Sequence, residues 1–260
     1  MSAPAARQVS VVTGGASGIG LAVARRLATD GHDVHLVDRD PDLHVAASDL
    51  ATRTGSAVTA HVHDLIDVAG AEALVDRIAA PRGLHVVVNS AGVSLPRASA
   101  QLDEQSWDAI FTVNVKGLFF LTRAALELMR AAGGGSVVSL SSISGKGWSG
   151  ASSVAYAASK AAIVGMTRAL AREYGGHGIR VNCVCPGITR TPMMEHWAAT
   201  RAAELGVDVE RFVADRVADS ALQRASTTED IAAAVAFLAS PAAGNITGQS
   251  LNVDGGTIWD

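Results

Sequence analysis

Seven short runs of apolar residues recur along the chain, separated by stretches of helical length. The runs occupy residues 9–13, 34–38, 58–63, 85–89, 136–141, 179–185 and 250–253. Val, Ile and Leu fill them with little polar alternation, which indicates strands that are buried on both faces. The stretches between them, such as 21–31 and 228–240, have helical spacing. This pattern predicts an α/β fold, with a doubly wound sheet of seven mainly parallel strands flanked by helices on both faces.

The alternation of strand and helix continues without a linker, an internal repeat or a low-complexity tract. With 260 residues and 48% hydrophobic composition, the chain can build one large core, so we predict a single domain over 1–260. Residues 190–226 are the exception, because this polar, helix-prone segment interrupts the alternation after the sixth strand. Ligands of open parallel sheets bind outside the carboxyl ends of the strands, so we expect this segment to form a substrate lid.

Charge and hydropathy exclude several functional classes. The 21 Lys and Arg residues and 25 Asp and Glu residues give a net charge of -4, and no basic cluster suggests nucleic-acid binding. The amino terminus lacks a signal-peptide apolar region, and no segment reaches the roughly 18 apolar residues that cross a bilayer. We therefore expect a cytoplasmic protein that binds neither nucleic acid nor a membrane.

Cysteine and histidine are placed without metal-binding spacing. Cys183 and Cys185 lie on the sixth predicted strand, where side chains two positions apart point to the same face, so we expect buried free thiols. The nearest histidine pair, His61 and His63, has no further ligand nearby. No metal site is predicted.

The segment TGGASGIG joins the first predicted strand to a helix, with glycine at positions 14, 18 and 20. Glycine allows a tight turn and close approach of a pyrophosphate, and the free N–H groups of the helix start attract phosphate. Asp38 ends the second strand 18 residues past Gly20. A carboxylate at this position accepts hydrogen bonds from the ribose hydroxyls of NAD and repels the 2'-phosphate of NADP. A site for NAD is predicted. The adjacent Arg39 could instead pair with that phosphate, and Asp38 could instead cap the next helix.

Polar residues also end the third and fourth predicted strands. Asp64 lies where an adenine amino group could be bound, and Asn89 closes the fourth strand at the same edge. Either residue could alternatively serve only to form a turn.

Tyr156 and Lys160 are four positions apart in the helical segment VAYAASKAA. One helical turn places their side chains on one face, close to a buried strand that ends in hydroxyl residues. An ammonium near a phenol favours the phenolate, so we expect Lys160 to lower the pKa of Tyr156 from about 10 towards working pH. The pair then serves as a general acid and base, although spacing alone would also fit a surface pair.

Five motifs, in order, resemble those of classical short-chain dehydrogenases/reductases, and the resemblance covers essentially the whole chain. TGGASGIG resembles the family's TGxxxGxG loop, NSAG at 89–92 its NNAG motif, and Asn114 in TVNVKG its helical asparagine. YAASK resembles its YxxxK pair, and VCPGITRTPM its PG segment after the sixth strand. Ser90 departs from the second asparagine of NNAG. The resemblance implies a Rossmann-type fold and NAD as cofactor, with NADP less favoured.

The resemblance also implies catalytic roles. Tyr156 is expected to donate and accept the proton, Lys160 to bind the nicotinamide ribose and support Tyr156, and Asn114 to hold a water that extends a proton relay. Ser142 is expected to hydrogen-bond the substrate oxygen.

The serine assignment departs from the family pattern. Ser142 precedes Tyr156 by 14 residues, whereas the family's serine precedes the tyrosine by 13, a position that Ile143 holds here. An extra residue in the ASSVAY loop accounts for the difference, and Ser141 and Ser144 stay open as alternatives.

Cofactor contacts are expected throughout these motifs, with residues 186–188 beside the nicotinamide and Thr191 near its amide or the phosphates. The expected set is Gly14, Ser17, Gly18, Ile19, Gly20, Asp38, Asp64, Leu65, Asn89, Ala91, Gly92, Tyr156, Lys160, Pro186, Gly187, Ile188 and Thr191.

The activity that the resemblance implies is reversible hydride transfer between the nicotinamide and a secondary alcohol or ketone. Apolar residues of the lid and catalytic loop favour a hydrophobic or cyclic substrate, namely Met193, Met194, Trp197, Leu205, Phe212, Trp148 and Val154. An alternative is an NADPH-dependent 3-oxoacyl reductase acting on acyl carrier protein or CoA, because the lid also carries Arg190, Arg201, Arg211 and Arg216. A protein that senses nucleotides without catalysis is a further alternative.

The resemblance implies a homotetramer, since members of the family commonly pack the helices carrying Asn114 and Tyr156, and the last strand, against copies of themselves. Trp259, next to the last residue, could reach a neighbouring subunit or the chain's own lid.

Overall fold

The computed structural model describes residues 7–147 and 153–259, and their strands form one sheet. Within these residues seven parallel strands follow the order β3-β2-β1-β4-β5-β6-β7. They are β1 (Val9–Thr13), β2 (Asp33–Asp38), β3 (Val58–Val62), β4 (Val86–Asn89), β5 (Gly135–Leu140), β6 (Ile179–Pro186) and β7 (Ser250–Val253). The fold predicted from the sequence is confirmed, with strand ends shifted by one residue at most, and every strand pair is parallel.

Helices cover both faces of the sheet. They are α1 (Gly18–Thr29), α2 (Leu43–Thr54), α3 (Val68–Ala79), α4 (Glu104–Phe111), α5 (Leu118–Ala132), α6 (Val154–Tyr174), α7 (Pro192–Leu205), α8 (Val209–Val217) and α9 (Thr228–Ala239). Helices α1, α2 and α9 share one apolar core with the sheet, and α3, α5 and α6 share a second core. The two cores arise because successive residues of a strand point to opposite faces of the sheet. In β1, Val12 belongs to the first core and Val11 to the second, and both are fully buried.

The strand order creates a crevice at the carboxyl ends of the strands. β1 pairs with β2 on one side and with β4 on the other, so the segments that follow β1 and β4 leave towards different faces. Ligands of open α/β sheets bind at such a switch point. The predicted site residues are concentrated at this edge.

The segment predicted to be a lid is anchored where it begins and ends. The amide of Arg190 donates to the carbonyl of Ser226 at 3.0 Å, and the amide of Ser226 donates to the carbonyl of Ile188 at 2.8 Å. Between these ends, α7 and α8 enclose a small apolar core of their own, formed by Ala198, Ala202, Phe212 and Val213.

One helical run departs from the expectation that no stretch is apolar enough to span a bilayer. Residues Glu104–Ala132 are long enough, and an 18-residue window has a mean hydropathy of 1.4. Leu121, Leu126 and Met129 of this run are fully buried in the core beneath the sheet. The run is therefore interpreted as a core helix, since such helices meet the same criterion of length and composition.

The two cysteines are buried thiols outside a disulfide, as predicted: Cys183 and Cys185 are both inaccessible to solvent on β6. Their side chains lie on one face of the strand, and the neighbouring Cys185 thiol together with burial raises the pKa of Cys183.

Candidate active site

A cavity of about 420 Å³ opens at the carboxyl ends of the strands, between the loops after β1 and β4 and the start of α7. It gathers nearly all of the residues expected from the sequence. Those in its lining are Gly14, Ser17, Gly18, Ile19, Gly20, Asp38, Asp64, Leu65, Ala91, Gly92, Ser142, Tyr156, Lys160, Pro186, Gly187, Ile188 and Thr191. Asn89 and Asn114 lie outside the lining.

The loop after β1 requires glycine at two points. Gly14 has a φ of +68°, and a Cβ there would lie 2.7 Å from the amide nitrogen of Ala91, while a Cβ at Gly20 would lie 1.9 Å from the carbonyl oxygen of Gly14. Helix α1 then begins at Gly18, and the side chain of its N-cap, Ser17, makes no capping hydrogen bond. The first amides of α1 are thus uncapped by a side chain at the cavity wall, as a phosphate-binding helix start requires.

Asp38 and Arg39 border the cavity side by side. The carboxylate of Asp38 accepts hydrogen bonds from the amides of Ala16, at 3.1 Å, and Asp40, at 3.2 Å, so it is fixed against the glycine loop. Helix α2 has Asp42 as its N-cap, so the alternative that Asp38 caps this helix is wrong. Arg39 is exposed and has no ion pair among the residues that the structure describes.

Lys160 is 5% exposed on α6, and its Nζ donates to the carbonyl oxygen of Leu140 at 2.8 Å. Burial lowers the pKa of Lys160 to about 8. Gly92 leaves space beside the ammonium, since a Cβ there would lie 3.5 Å from Nζ of Lys160 and 3.3 Å from Oδ1 of Asn114.

Tyr156 and Ser142 both line the cavity, and the Ser142 hydroxyl is near enough to the phenol to act on it. Burial raises the pKa of Tyr156 to about 12, and the nearby Ser142 hydroxyl only partly offsets this. The expectation that Lys160 lowers this pKa is therefore wrong for this structure. Nζ of Lys160 lies 5.6 Å from the centre of the Tyr156 ring and is bound to Leu140, so the loss of water around the phenol dominates.

The neighbouring serines have different partners. Ser141 is buried and donates to the carbonyl of Lys160 at 2.8 Å, which ties the end of β5 to α6. The hydroxyl of Ser142 faces Tyr156 and also accepts from the amide of Ser144 at 3.1 Å. Of the three serines left open by the sequence, Ser142 is thus the one whose hydroxyl acts on the phenol of Tyr156.

Asn114 lies in a π-helical turn, Thr112–Gly117, and is fully buried. Its Oδ1 accepts from the amide of Val93 at 2.8 Å, and its Nδ2 donates to the carbonyl of Val93 and the hydroxyl of Ser159, both at 3.0 Å. Ser159 donates onward to the carbonyl of Tyr156 at 2.8 Å. The Asn114 side chain therefore fastens the cavity wall at Val93 to the helix of Tyr156, and its role towards a water stays a prediction.

Asn89 points into the protein rather than into the cavity, so the structure does not support the direct cofactor contact expected of its side chain. Its Nδ2 donates to the hydroxyls of Thr122 at 2.9 Å and Ser139 at 3.1 Å, and its Oδ1 is buried without a partner among the described residues. The first amides after it, those of Ser90 and Ala91, donate to the Thr13 hydroxyl. Asn89 therefore anchors the end of β4 to Thr122 of α5 and to Ser139 of β5.

The substrate residues expected from the sequence are only partly in the cavity. Met193, Met194 and Trp197 line it, whereas Phe212 is buried in the small core between α7 and α8, and Leu205 and Val154 are more than half exposed. Trp148 falls outside the described residues. The segment directly after the NSAG motif adds lining residues that sequence reasoning missed, although their position after β4 could have indicated them: Val93, Ser94 and Pro96.

The four arginines of residues 190–226, the segment predicted to be a lid, make contacts within that segment. Their partners are Glu210 for Arg190, Glu204 for Arg201, Asp215 for Arg211, and the ring of Phe212 for Arg216. None of these four arginines is in the cavity lining.

Comparison with known proteins identifies the family. A family model described as enoyl-(acyl carrier protein) reductase matches residues 14–257. The short-chain reductase protein NovJ of Streptomyces niveus is 36% identical over 253 residues, which cover 95% of this chain and 93% of that protein. The chain belongs to the short-chain dehydrogenase/reductase family. The resemblance seen in the sequence is confirmed.

Two further members of this short-chain dehydrogenase/reductase family indicate its chemistry. Galactitol 2-dehydrogenase (L-tagatose-forming) of Cereibacter sphaeroides is 37% identical, over 96% of this chain and 95% of that protein. L-sorbose reductase of Gluconobacter frateurii, whose structure is complexed with NADPH and L-sorbose, has a TM-score of 0.91 and 29% identity, with 98% of each chain covered. The protein is thus a dehydrogenase or reductase acting on CH–OH groups with a nicotinamide cofactor.

Proposed function

We propose that this enzyme interconverts a secondary alcohol and a ketone by reversible hydride transfer, with Tyr156 as the proton donor and acceptor. The observation that carries the proposal is that Tyr156, Ser142 and buried Lys160 converge on the wall of one cavity that also contains the glycine loop. A bound nicotinamide supplies or accepts the hydride at its C4 atom.

The protein's own groups handle the oxygen and its proton. In reduction, the hydroxyls of Ser142 and Tyr156 hydrogen-bond the carbonyl oxygen, and Tyr156 transfers its proton to that oxygen as hydride reaches the carbon. In oxidation, the same proton returns from the alcohol to Tyr156. A pKa near 12 keeps Tyr156 protonated at neutral pH, which favours its role as an acid in the reductive direction.

The cofactor proposed for this reaction is NAD(H). Asp38 presents a carboxylate fixed at the glycine loop, where it would accept hydrogen bonds from the ribose hydroxyls and repel a 2'-phosphate. Two observations favour NADP(H) instead: exposed Arg39 stands beside Asp38, and the similar L-sorbose reductase holds NADPH. Initial rates with NADH and NADPH at equal concentrations distinguish the two cofactors.

The proposed substrate is a neutral, hydrophobic or cyclic alcohol or ketone. Met193, Met194 and Trp197 give the lid side of the cavity an apolar surface. The alternative, a 3-oxoacyl reductase for acyl carrier protein or CoA substrates, is favoured by the description of the matching family model. Against it, the lid arginines are engaged with partners on the lid and do not line the cavity.

The decisive experiment measures oxidation of NADH and NADPH by absorbance with a panel of cyclic ketones and a 3-oxoacyl thioester. A Tyr156→Phe variant is expected to lose about 10³-fold in kcat while its Kd for the reduced cofactor changes less than about threefold, because only the proton donor is removed. Retention of wild-type turnover by this variant refutes the assignment of Tyr156. Cofactor binding without turnover of any substrate instead supports a protein that senses nucleotides.

We also propose a cytoplasmic homotetramer. Exposed Leu251 on edge strand β7 and Trp259, which is 81% exposed, provide apolar area for a second copy of the chain. Sedimentation analysis of the purified protein tests this, and a monomer at micromolar concentration contradicts it.

A further inference from the structure

The lid side of the cavity has a distinct chemical character. The charged residues of the lining are Asp38 at the end of β2, Arg39 and Asp64 in the segments after β2 and β3, and Lys160 on α6. The side chains from the lid helix α7 and from the segment after β4 are all uncharged: Val93, Ser94, Pro96, Met193, Met194 and Trp197. A ligand placed there meets a mainly apolar surface, with the Ser94 hydroxyl as its polar group and no ionic partner.

Trp197 is the largest side chain on this wall, and the lid itself holds it in place. Its ring meets the ring of Phe212 edge-on, with centroids 5.2 Å apart and planes inclined by 63°. Phe212 is 3% exposed, so it forms a rigid support behind the indole. The orientation of Trp197 is therefore set by α8 and not by the catalytic residues.

The start of helix α7 explains why Trp197 faces the ligand. The hydroxyl of Thr191 caps this helix by accepting from the amide of Met194 at 3.2 Å, and Thr191 also lines the cavity. Met194 and Trp197, three positions apart, share the face towards the cavity, while Ala198 is buried in the lid core. The helix thus presents an aromatic and a thioether surface to the cavity that Tyr156 also lines.

We propose that Trp197 is the specificity-determining residue of the lid, and that it selects cyclic ketones with few hydroxyl groups over open-chain polyhydroxy ketones. An indole face stabilises a flat apolar ring by contact area. It offers no acceptor for a row of hydroxyls, and burying those hydroxyls without partners is unfavourable. This inference rests on the proposed ketone reduction and adds to it the residue that chooses among ketones.

The test compares kcat/KM for cyclohexanone derivatives and for an open-chain ketohexose in wild type, Trp197→Ala and Trp197→Phe. Trp197→Ala is expected to lower kcat/KM for the cyclic ketones about tenfold, through KM rather than kcat, and to change the value for the ketohexose less than about twofold. Trp197→Phe keeps an aromatic face and is expected to restore most of the cyclic selectivity. KM for the reduced cofactor is expected to stay within about twofold of wild type.

Trp107→Ala is the matched control. Trp107 lies on α4, is 38% exposed, stacks on Phe111 and is not part of the cavity lining, so its removal is expected to leave the ratio of the two kcat/KM values unchanged. Equal losses for both ketone classes in Trp197→Ala, or no change in either, overturn the inference while leaving ketone reduction intact. A wild type that binds the cofactor and reduces no ketone overturns the proposed function itself, and the inference with it.

Discussion

The buried ammonium of Lys160 donates to the carbonyl oxygen of Leu140, the last residue of β5, at 2.8 Å. The contact joins the catalytic helix to the sheet and fixes the cation beside the cavity, 5.6 Å from the centre of the Tyr156 ring. It also explains why the phenol is not made acidic here, since the ammonium is bound elsewhere and burial controls both pKa values.

The pH dependence of reduction is expected to follow Lys160. Its pKa of about 8 means that the cation is lost as pH rises above 8, while Tyr156 keeps its proton up to about pH 12. We therefore expect kcat/KM for ketone reduction to fall above pH 8. In a Lys160→Arg variant the cation persists at high pH. The fall in kcat/KM should therefore move to higher pH, although we expect a lower overall activity. If kcat/KM of that variant falls at the same pH as in wild type, the titrating group is not Lys160.

Replacing Ser142 and its neighbour Ser141 is expected to have different consequences. Ser142→Ala removes the hydroxyl beside Tyr156 and should lower kcat on the order of 100-fold. Ser141→Ala removes the bond to the Lys160 carbonyl and should mainly reduce the free energy of unfolding, by about 1 kcal/mol. Steady-state kinetics and urea denaturation of both variants measure these effects. Equal loss of kcat in both would mean that Ser142 has no special role.

Cofactor preference is expected to depend on the charge of Asp38. Asp38→Ala removes the carboxylate that repels a 2'-phosphate, so the ratio of kcat/KM for NADPH to that for NADH should rise at least about tenfold. Asp42→Ala is a suitable control, because Asp42 is exposed at the start of α2 and outside the cavity lining. If Asp38→Ala leaves the ratio unchanged and Arg39→Ala lowers it, Arg39 controls the preference.

Acid is expected to destabilise the protein through a histidine pair on β2 and β3. Nδ1 of His35 and Nε2 of His61 lie 2.9 Å apart, and burial lowers the pKa of His61 from 6.5 to about 4. The unfolded chain therefore binds more protons between these values, so the stabilising contribution is complete above pH 6.5 and is lost as pH falls through 4. His61→Gln keeps hydrogen-bonding capacity without charge and should unfold at lower pH than wild type.

A matched histidine variant distinguishes this effect from a general change of charge. His196→Gln replaces an exposed histidine on α7 and should leave the midpoint of acid unfolding, followed by circular dichroism, where it is in wild type. If both variants shift the midpoint equally, the His35–His61 pair is not responsible.

The seven strands and the Tyr156–Lys160 pair were predictable from the sequence because both depend on local periodicity. An apolar run such as Val86–Asn89 indicates a strand buried on two faces, whatever packs on it. A spacing of four on a helix likewise places Tyr156 and Lys160 together without knowledge of the fold. The glycine loop was also predictable, because the segment TGGASGIG places glycine at positions 14 and 20. The structure shows the physical reason, since a side chain at either position would clash with the backbone.

Only the tertiary structure decided where the polar groups point and how they titrate. Lys160 bonds Leu140, 20 positions away, and Asn114 bonds Val93, 21 positions away, so no local pattern reports either contact. Asn89 turns into the core for the same reason, although its neighbours face the cavity. The pKa of Tyr156 rises because desolvation depends on everything packed around the phenol, a quantity that emerges when distant segments assemble and that spacing along the chain does not contain.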